Sequence, residues 1–178
     1  EEVEEEQEME DVDKCCVPGD AIAKIAERKG VDPSKIKKHG LPVRQGFWDA
    51  GSKRGHNAKI RASLGLKQVP TVLVVGGGDG VGGLQKIAEA VGDQLKDVKE
   101  NVQVVVICGK NEAVKKALSS RFWPTNVDVI INGFVSNMDE WMIAADCIVT
   151  KAGPGTIAEA SIVGLPTMLS GFLPGQEE

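Results

Sequence analysis

Ten residues near the end of the chain, Lys151-Ala152-Gly153-Pro154-Gly155-Thr156-Ile157-Ala158-Glu159-Ala160, have the types and spacing of an anion site. Pro154 suits a first helical position, and the small residues around it predict a tight strand-to-helix turn. Such a turn gathers backbone N–H groups and the positive end of a helix dipole at one point, where an anion binds. Glu159 lies four residues after Gly155. Helical side chains lean back toward the N-terminus, so its carboxylate reaches the same pocket. A carboxylate beside phosphate makes chemical sense as an acceptor for a sugar diol such as a ribose. The chemistry suggested is recognition of a nucleotide diphosphate. A second reading stands beside it: Thr156-x-x-Glu159 has the form of a capping box, which needs no ligand.

These residues must be held by the elements before them. Cys147 to Thr150 is an apolar run that predicts a buried strand leading into the turn. From residue 70 onward the chain alternates regularly. Strands are predicted at Thr71–Val75, Val102–Cys108, Val127–Ile131, Asp146–Thr150 and Pro166–Leu169, and helices at Leu84–Leu95, Asn111–Ser119, Met138–Ala145 and Gly155–Val163. That alternation predicts a Rossmann-like α/β domain, a parallel sheet with helices on both faces. Ligands of such sheets lie at the carboxyl ends of the strands. The unusual loops, 76–83, 109–111, 132–138, 151–156 and 170–178, all fall on that edge. Upstream, Asp20 is expected to cap a helix over Ala21–Lys29 stopped by Gly30. Residues 36 to 44 read as a connector ending in Gly40-Leu41-Pro42-Val43-Arg44, residues 45–54 as irregular, and Ala58–Leu64 as a helix ended by Gly65.

Composition narrows the function. Nine of the 26 acidic residues fall within the first 13 positions, which hold no base, so the remaining 17 face all 21 lysines and arginines. Residues 1–14 therefore read as an acidic disordered segment on a mildly basic body. That body suits an anionic ligand or a membrane surface, and is too weakly charged for nucleic acid. Asp11-Val12-Asp13 matches a D-x-D metal motif only inside this charge run, as a coincidence. Cys15, Cys16, Cys108 and Cys147 form no C-x-x-C pair and are not spaced with His39 or His56 as ligands, so a reducing compartment and no structural metal are expected. Cys108 and Cys147 read as small core residues. No apolar run approaches a membrane span. The acidic start and the open end at Gly175-Gln176-Glu177-Glu178 suggest a fragment cut at both ends.

Three further segments carry weaker signals. Gly78-Asp79-Gly80-Val81-Gly82-Gly83 satisfies G-x-G-x-x-G between a strand and a helix. A nicotinamide dinucleotide site also wants an acid at the end of the second strand, where this chain has Cys108-Gly109-Lys110. The glycines thus favour close backbone approach to another ligand, or relieve crowding in a turn. Gly133-Phe134-Val135 offers a flat ring and backbone groups that suit a base edge, but by residue type alone Phe134 reads first as a plug of the core where strand meets loop. Trp141 and Met142 read as core. Gln176 and Glu177 are good partners for sugar hydroxyls, or a solvated loop. Lys151 either neutralises phosphate or sits in water.

Together these stretches resemble the C-terminal domain of plant-type monogalactosyldiacylglycerol synthases. The resemblance covers residues 15 to 178, and the pairing of Lys151–Ala160 with Pro174–Glu178 is its specific part. The wider group includes the bacterial transferase that adds N-acetylglucosamine to the lipid-linked peptidoglycan precursor. The resemblance implies an inverting hexosyltransferase of the two-domain GT-B fold, with residues 15–44 the end of an acceptor domain plus linker and 45–178 a UDP-sugar-binding domain truncated at its C-terminus. It implies that the main chain at Phe134 and Val135 meets uracil, Gly153, Gly155 and Thr156 the diphosphate, Glu159 the ribose, and Gln176 and Glu177 the galactose. Lys151 and Pro154 stand at positions tied to activity. Gly78 and Gly80 belong to a loop that closes over the donor. The implied reaction moves galactose from UDP-galactose to diacylglycerol for galactolipid synthesis, without a metal or other cofactor, peripherally at the chloroplast envelope. The base would lie in the missing acceptor domain, so the chain alone is expected to bind donor and not transfer sugar. The alternatives are a donor-binding subunit, or a related UDP-N-acetylglucosamine or UDP-glucose transferase with a lipid acceptor.

Overall fold

The computed structural model describes residues 12–53, 57–76 and 83–171. The chain divides between Val43 and Arg44 into two compact units. In the first, β1 (Cys15–Val17) pairs in parallel with β2 (Ile36–Lys38) across α1 (Asp20–Arg28). Asp20 does not cap α1. Gly19 is the N-cap with no side-chain hydrogen bond, and Asp20 sits in the first turn, 2.5 Å from Lys38 Nζ on β2. The acid still favours the helix start, and the ion pair ties the helix to the strand. The stretch predicted as a connector therefore begins with a strand. Three residues, two of them exposed lysines, are too few to show a period of two.

The second unit opens with a 3₁₀ turn (Gln45–Phe47) and α2 (Asn57–Ser63). Then follow β3 (Thr71–Val75), α3 (Leu84–Leu95), β4 (Val102–Ile107), α4 (Glu112–Ser119), β5 (Val127–Asn132), α5 (Met138–Ala144), β6 (Cys147–Lys151), α6 (Pro154–Val163) and β7 (Thr167–Gly171). Every strand and helix predicted from residue 70 onward is present, with ends moved by at most two residues. Asn111 is the N-cap of α4, its Oδ1 accepting from the Val114 amide.

The five strands form one parallel sheet in the order β5-β4-β3-β6-β7. Parallel strands need crossovers, and helices laid on both faces bury both sides of the sheet. Leu73, Val75, Val105, Ile107 and Ile148 face one core with residues of α5 and α6. Val74, Val104, Val106 and Val149 face the other with Leu84, Ala88 and Leu118. All six residues of β4 are buried, as expected of a strand covered on both faces. Edge strand β7 is exposed throughout.

The segment read as irregular after Arg44 is part of the core. Phe47 and Ala50 are 1% and 0% exposed and pack with α5 and α6 residues. Gly46 passes so close to α5 that a Cβ there would lie 2.8 Å from Asp139 Cγ. Short spacings in a compact turn carry no helix or strand period, so this packing leaves no pattern in the sequence. Arg61 of α2 fixes the opposite edge of the sheet. Its Nη2 donates to Asp146 Oδ2 at 2.8 Å and its Nε to the Ala144 carbonyl at 2.7 Å.

Candidate functional site

The strand order reverses between β3 and β6. The chain leaves β3 for α3 and moves outward to β4 and β5, then returns to β3's other side for β6 and β7. At such a switch point the two crossovers part and leave a crevice at the carboxyl ends of the strands. One segment singled out by sequence, Lys151–Gly155, leaves β6 at this point, and Gly76 follows the end of β3 beside it.

The second turn is built tightly. A β-bulge shifts register between Thr150 and Lys151, and the Ala152 amide donates to the Gly171 carbonyl at 2.8 Å. The Gly153 amide donates to the Lys151 carbonyl at 2.8 Å, closing a three-residue turn. Gly153 is the N-cap of α6 and Pro154 its first residue, with no side-chain cap. Pro154 has no N–H, so Gly155 and Thr156 carry the amides that project from the first turn. Pro154 and Gly155 are exposed. Thr156 lies inside the helix rather than at its N-cap, so the capping-box reading fails.

Glu159 is 6% exposed, one turn behind this mouth. Its partner is Arg44: Nε donates to Oε1 at 2.7 Å and Nη2 to Oε2 at 2.5 Å. This is a fork-on-carboxylate pair, the strong geometry for Arg. The Glu159 side chain is 8% exposed and that of Arg44 51%. The Arg44 guanidinium also lies 5.4 Å from the Phe47 ring centroid. The hydrogen bond to Glu159 raises its pKa above an already high value, against burial that works to lower it. Nearby, Lys53 Nζ lies 2.6 Å from Asp139 Oδ2, and that hydrogen bond raises the lysine pKa. Two ion pairs thus lash residues 44–53 to α6 and α5.

Arg44 is the residue of this site that sequence reasoning missed. It appeared only as the last residue of a Gly-Leu-Pro-Val-Arg connector. A buried carboxylate demands a cation, but nothing in a linear chain says which of 21 lysines and arginines supplies it.

Lys151, Gly153, Pro154, Gly155, Thr156 and Glu159 are gathered on one strand-turn-helix unit. Phe134 and Val135 lie past the end of β5, on the same sheet edge but two strands from β3. Phe134 is 72% exposed, so it does not plug the core, whereas Val135 packs against it. Trp141 and Met142 are core residues at 8% and 0% exposure. Cys108 is buried, while Cys147 is only half-buried. Gly78, Gly80, Gln176 and Glu177 lie outside the described residues. A hollow of about 360 Å³ bounded by Asn57, Asp146, Val163 and Pro166 is at the amino edge of β6 and β7 and is not this crevice.

The family profile described as the glycosyltransferase family 28 C-terminal domain matches residues 71–170. A protein of Arabidopsis thaliana named monogalactosyldiacylglycerol synthase 3, chloroplastic, is 44% identical over 171 residues, 94% of this chain and 36% of that protein. One of Oryza sativa subsp. japonica, named probable monogalactosyldiacylglycerol synthase 2, chloroplastic, is 44% identical over 170 residues, 93% of this chain and 35% of its own. The chain thus spans about a third of the length of these relatives. Among solved structures, UDP-GlcNAc 2-epimerase from Neisseria meningitidis bound to UDP-GlcNAc matches with a TM-score of 0.67 at 15% identity, over 88% of this chain and 44% of that one. A glycosyltransferase involved in lipopolysaccharide biosynthesis matches at 0.57 and 22% identity, over 86% and 43%. These two likenesses show the fold.

Proposed function

Because this chain belongs to the glycosyltransferase family 28 C-terminal domain family, we propose that the β3/β6 crevice binds UDP-galactose and is the donor half of a galactosyltransferase acting on diacylglycerol. The observation that carries this reading is the pairing of an uncapped helix start, Gly153 to Thr156, with a buried carboxylate one turn behind it. The amides of Gly155 and Thr156 meet the diphosphate, joined by Lys151. Glu159 accepts from the ribose hydroxyls. The main chain at Phe134 and Val135 reads uracil, and Gln176 and Glu177 hold the galactose. The names of the 44% identical relatives support galactose as the sugar and the chloroplast as the compartment.

In the reaction proposed, a diacylglycerol hydroxyl oxygen attacks the anomeric carbon of galactose. The bond from that carbon to the diphosphate oxygen breaks, UDP departs with the electron pair, and the configuration inverts. The hydroxyl proton passes to a base outside this chain. UDP carries new negative charge as it leaves, and oriented amides stabilise that charge as it develops. The longer protein works peripherally at the chloroplast envelope, and the 178-residue chain binds donor without turning it over.

The test is calorimetric titration of the chain with UDP, then competition by UDP-galactose, UDP-glucose, UDP-N-acetylglucosamine and NAD. The expected result is saturable UDP binding, weakened about tenfold or more in Glu159→Ala, with UDP-galactose the best competitor and NAD inert. Unchanged UDP affinity in Glu159→Ala would overturn the site. Preference for another UDP-sugar would overturn the galactose assignment alone, and sugar transfer by this chain would overturn the need for an outside base.

A further inference from the structure

We infer that Arg44 is a positioning residue of the nucleotide site, holding the Glu159 carboxylate so that its unused acceptor positions read the ribose diol. The inference rests on the proposed donor reading and adds a residue to it. An ionised carboxylate offers about four acceptor positions on two oxygens. Arg44 takes one position on each oxygen, at 2.7 and 2.5 Å. One position per oxygen is left, which matches the two hydroxyls of a cis diol.

Three features make the fork a rigid support. Glu159 is buried at 6% exposure, so its carboxylate has little water to orient it. Arg44 is fixed from behind by the buried Phe47 ring, 5.4 Å from its guanidinium carbon. Gly46, two residues on from Arg44, is pressed against Asp139, which Lys53 holds at 2.6 Å. A guanidinium backed by the Phe47 ring places two parallel N–H groups in one plane, and the carboxylate must lie in that plane to meet both. A lysine offers a point charge and no plane. The Arg44 side chain itself stays 51% exposed. A purely structural partner for so buried an acid would be expected to be buried with it.

The experiment measures binding of UDP, 2′-deoxy-UDP and 3′-deoxy-UDP to the full 178-residue chain and its variants by calorimetry. Wild type should prefer UDP over each deoxy analogue by about tenfold or more, the effect of one hydrogen bond to a charged group. Glu159→Gln should lose that preference. Arg44→Met, which keeps the aliphatic stem over Phe47, should reduce it to about threefold or less, while Arg44→Lys should fall between. A merely structural Arg44 would lower affinity for all three ligands equally and leave their ratio intact. A retained tenfold preference in Arg44→Met, or in Arg44→Lys should the Met variant fail to fold, overturns the inference while leaving the donor reading standing. A wild type indifferent to both deoxy analogues overturns the ribose role of Glu159 itself, and the inference with it.

Discussion

Breaking the Arg44–Glu159 pair from one side should cost far more than breaking it from the other. The Glu159 side chain is 8% exposed and that of Arg44 51%. Removing one partner of a fully buried pair costs about 3–5 kcal/mol, most of it the unpaired charge left behind. In Arg44→Met the orphan is the buried carboxylate. Because Arg44 is half in water, the pair is partly screened, which brings the expected loss down to about 2–3 kcal/mol. In Glu159→Gln the orphan is a guanidinium that water can reach, and the amide oxygen still accepts one of its hydrogen bonds, so the loss should be about 1 kcal/mol. The double variant lacks the orphaned acid and should recover most of the difference, lying within about 1 kcal/mol of Glu159→Gln. Urea unfolding without nucleotide, followed by tryptophan emission, measures these values. Trp48, Trp123 and Trp141 all lie in the second unit, so the signal reports the unit that holds the pair. The reasoning fails if Glu159→Gln is as costly as Arg44→Met, or if the double variant is the least stable of the three.

Gly92 on α3 lies under the Trp123 ring, and a Cβ there would sit 2.5 Å from Cζ3 and 2.7 Å from Cε3. Gly92→Ala should therefore cost about 1–2 kcal/mol, since overpacking outweighs the gain of about 1 kcal/mol in helix propensity; an equal or higher urea midpoint with unshifted tryptophan emission would show that the ring yields freely. Burial pushes the Cys108 thiol up, whereas Cys16 is exposed. At pH 8 iodoacetamide should modify Cys16 first and reach Cys108 only when the sheet opens, and mass mapping that finds both modified at one rate would contradict the burial assigned to Cys108.

The sheet was legible because its strands announce themselves. Val-rich runs such as Thr71–Val75 and Val102–Ile107 have no polar face; Pro70 and Gly76 bracket the first, and Gly109 closes off the second. The turn before α6 was legible for the same reason, since Pro154 and its small neighbours restrict the backbone whatever surrounds them. Asp20 shows the limit of such local rules. Its cap position was open to it, but an ion pair with Lys38, formed only once β1 and β2 align, put it inside the helix. Residues 45–53 were illegible for a different reason. Their order comes from contacts with helices about 90 to 115 positions away, as in Lys53–Asp139 and Arg44–Glu159, and a local window contains none of those partners.

The same strand order with a glycine loop after its first strand would serve a dinucleotide equally well, so the fold leaves the ligand open and the charges must decide. In a nicotinamide site the ribose-reading acid ends the strand beside the first on one side. Here that strand is β4, and Cys108, Gly109 and Lys110 follow it, with Asn111 spent on capping α4. The buried acid stands instead on α6, behind β6, on the opposite side of β3. On the proposed reading, ribose and phosphate functions are thus brought to one helix: amides at its mouth, carboxylate one turn in. A ligand whose ribose and diphosphate are adjacent can span that short distance, and a nucleoside diphosphate is the smallest that does. The cost is a buried charge at a helix start that no side chain caps, and the Arg44 fork offsets it from a segment that precedes the whole sheet in sequence. Holding the proposed site together therefore depends on residues 44–50 staying folded against α5 and α6, so on this reading the core contacts of Phe47 and Ala50 bear on ligand binding as much as on stability.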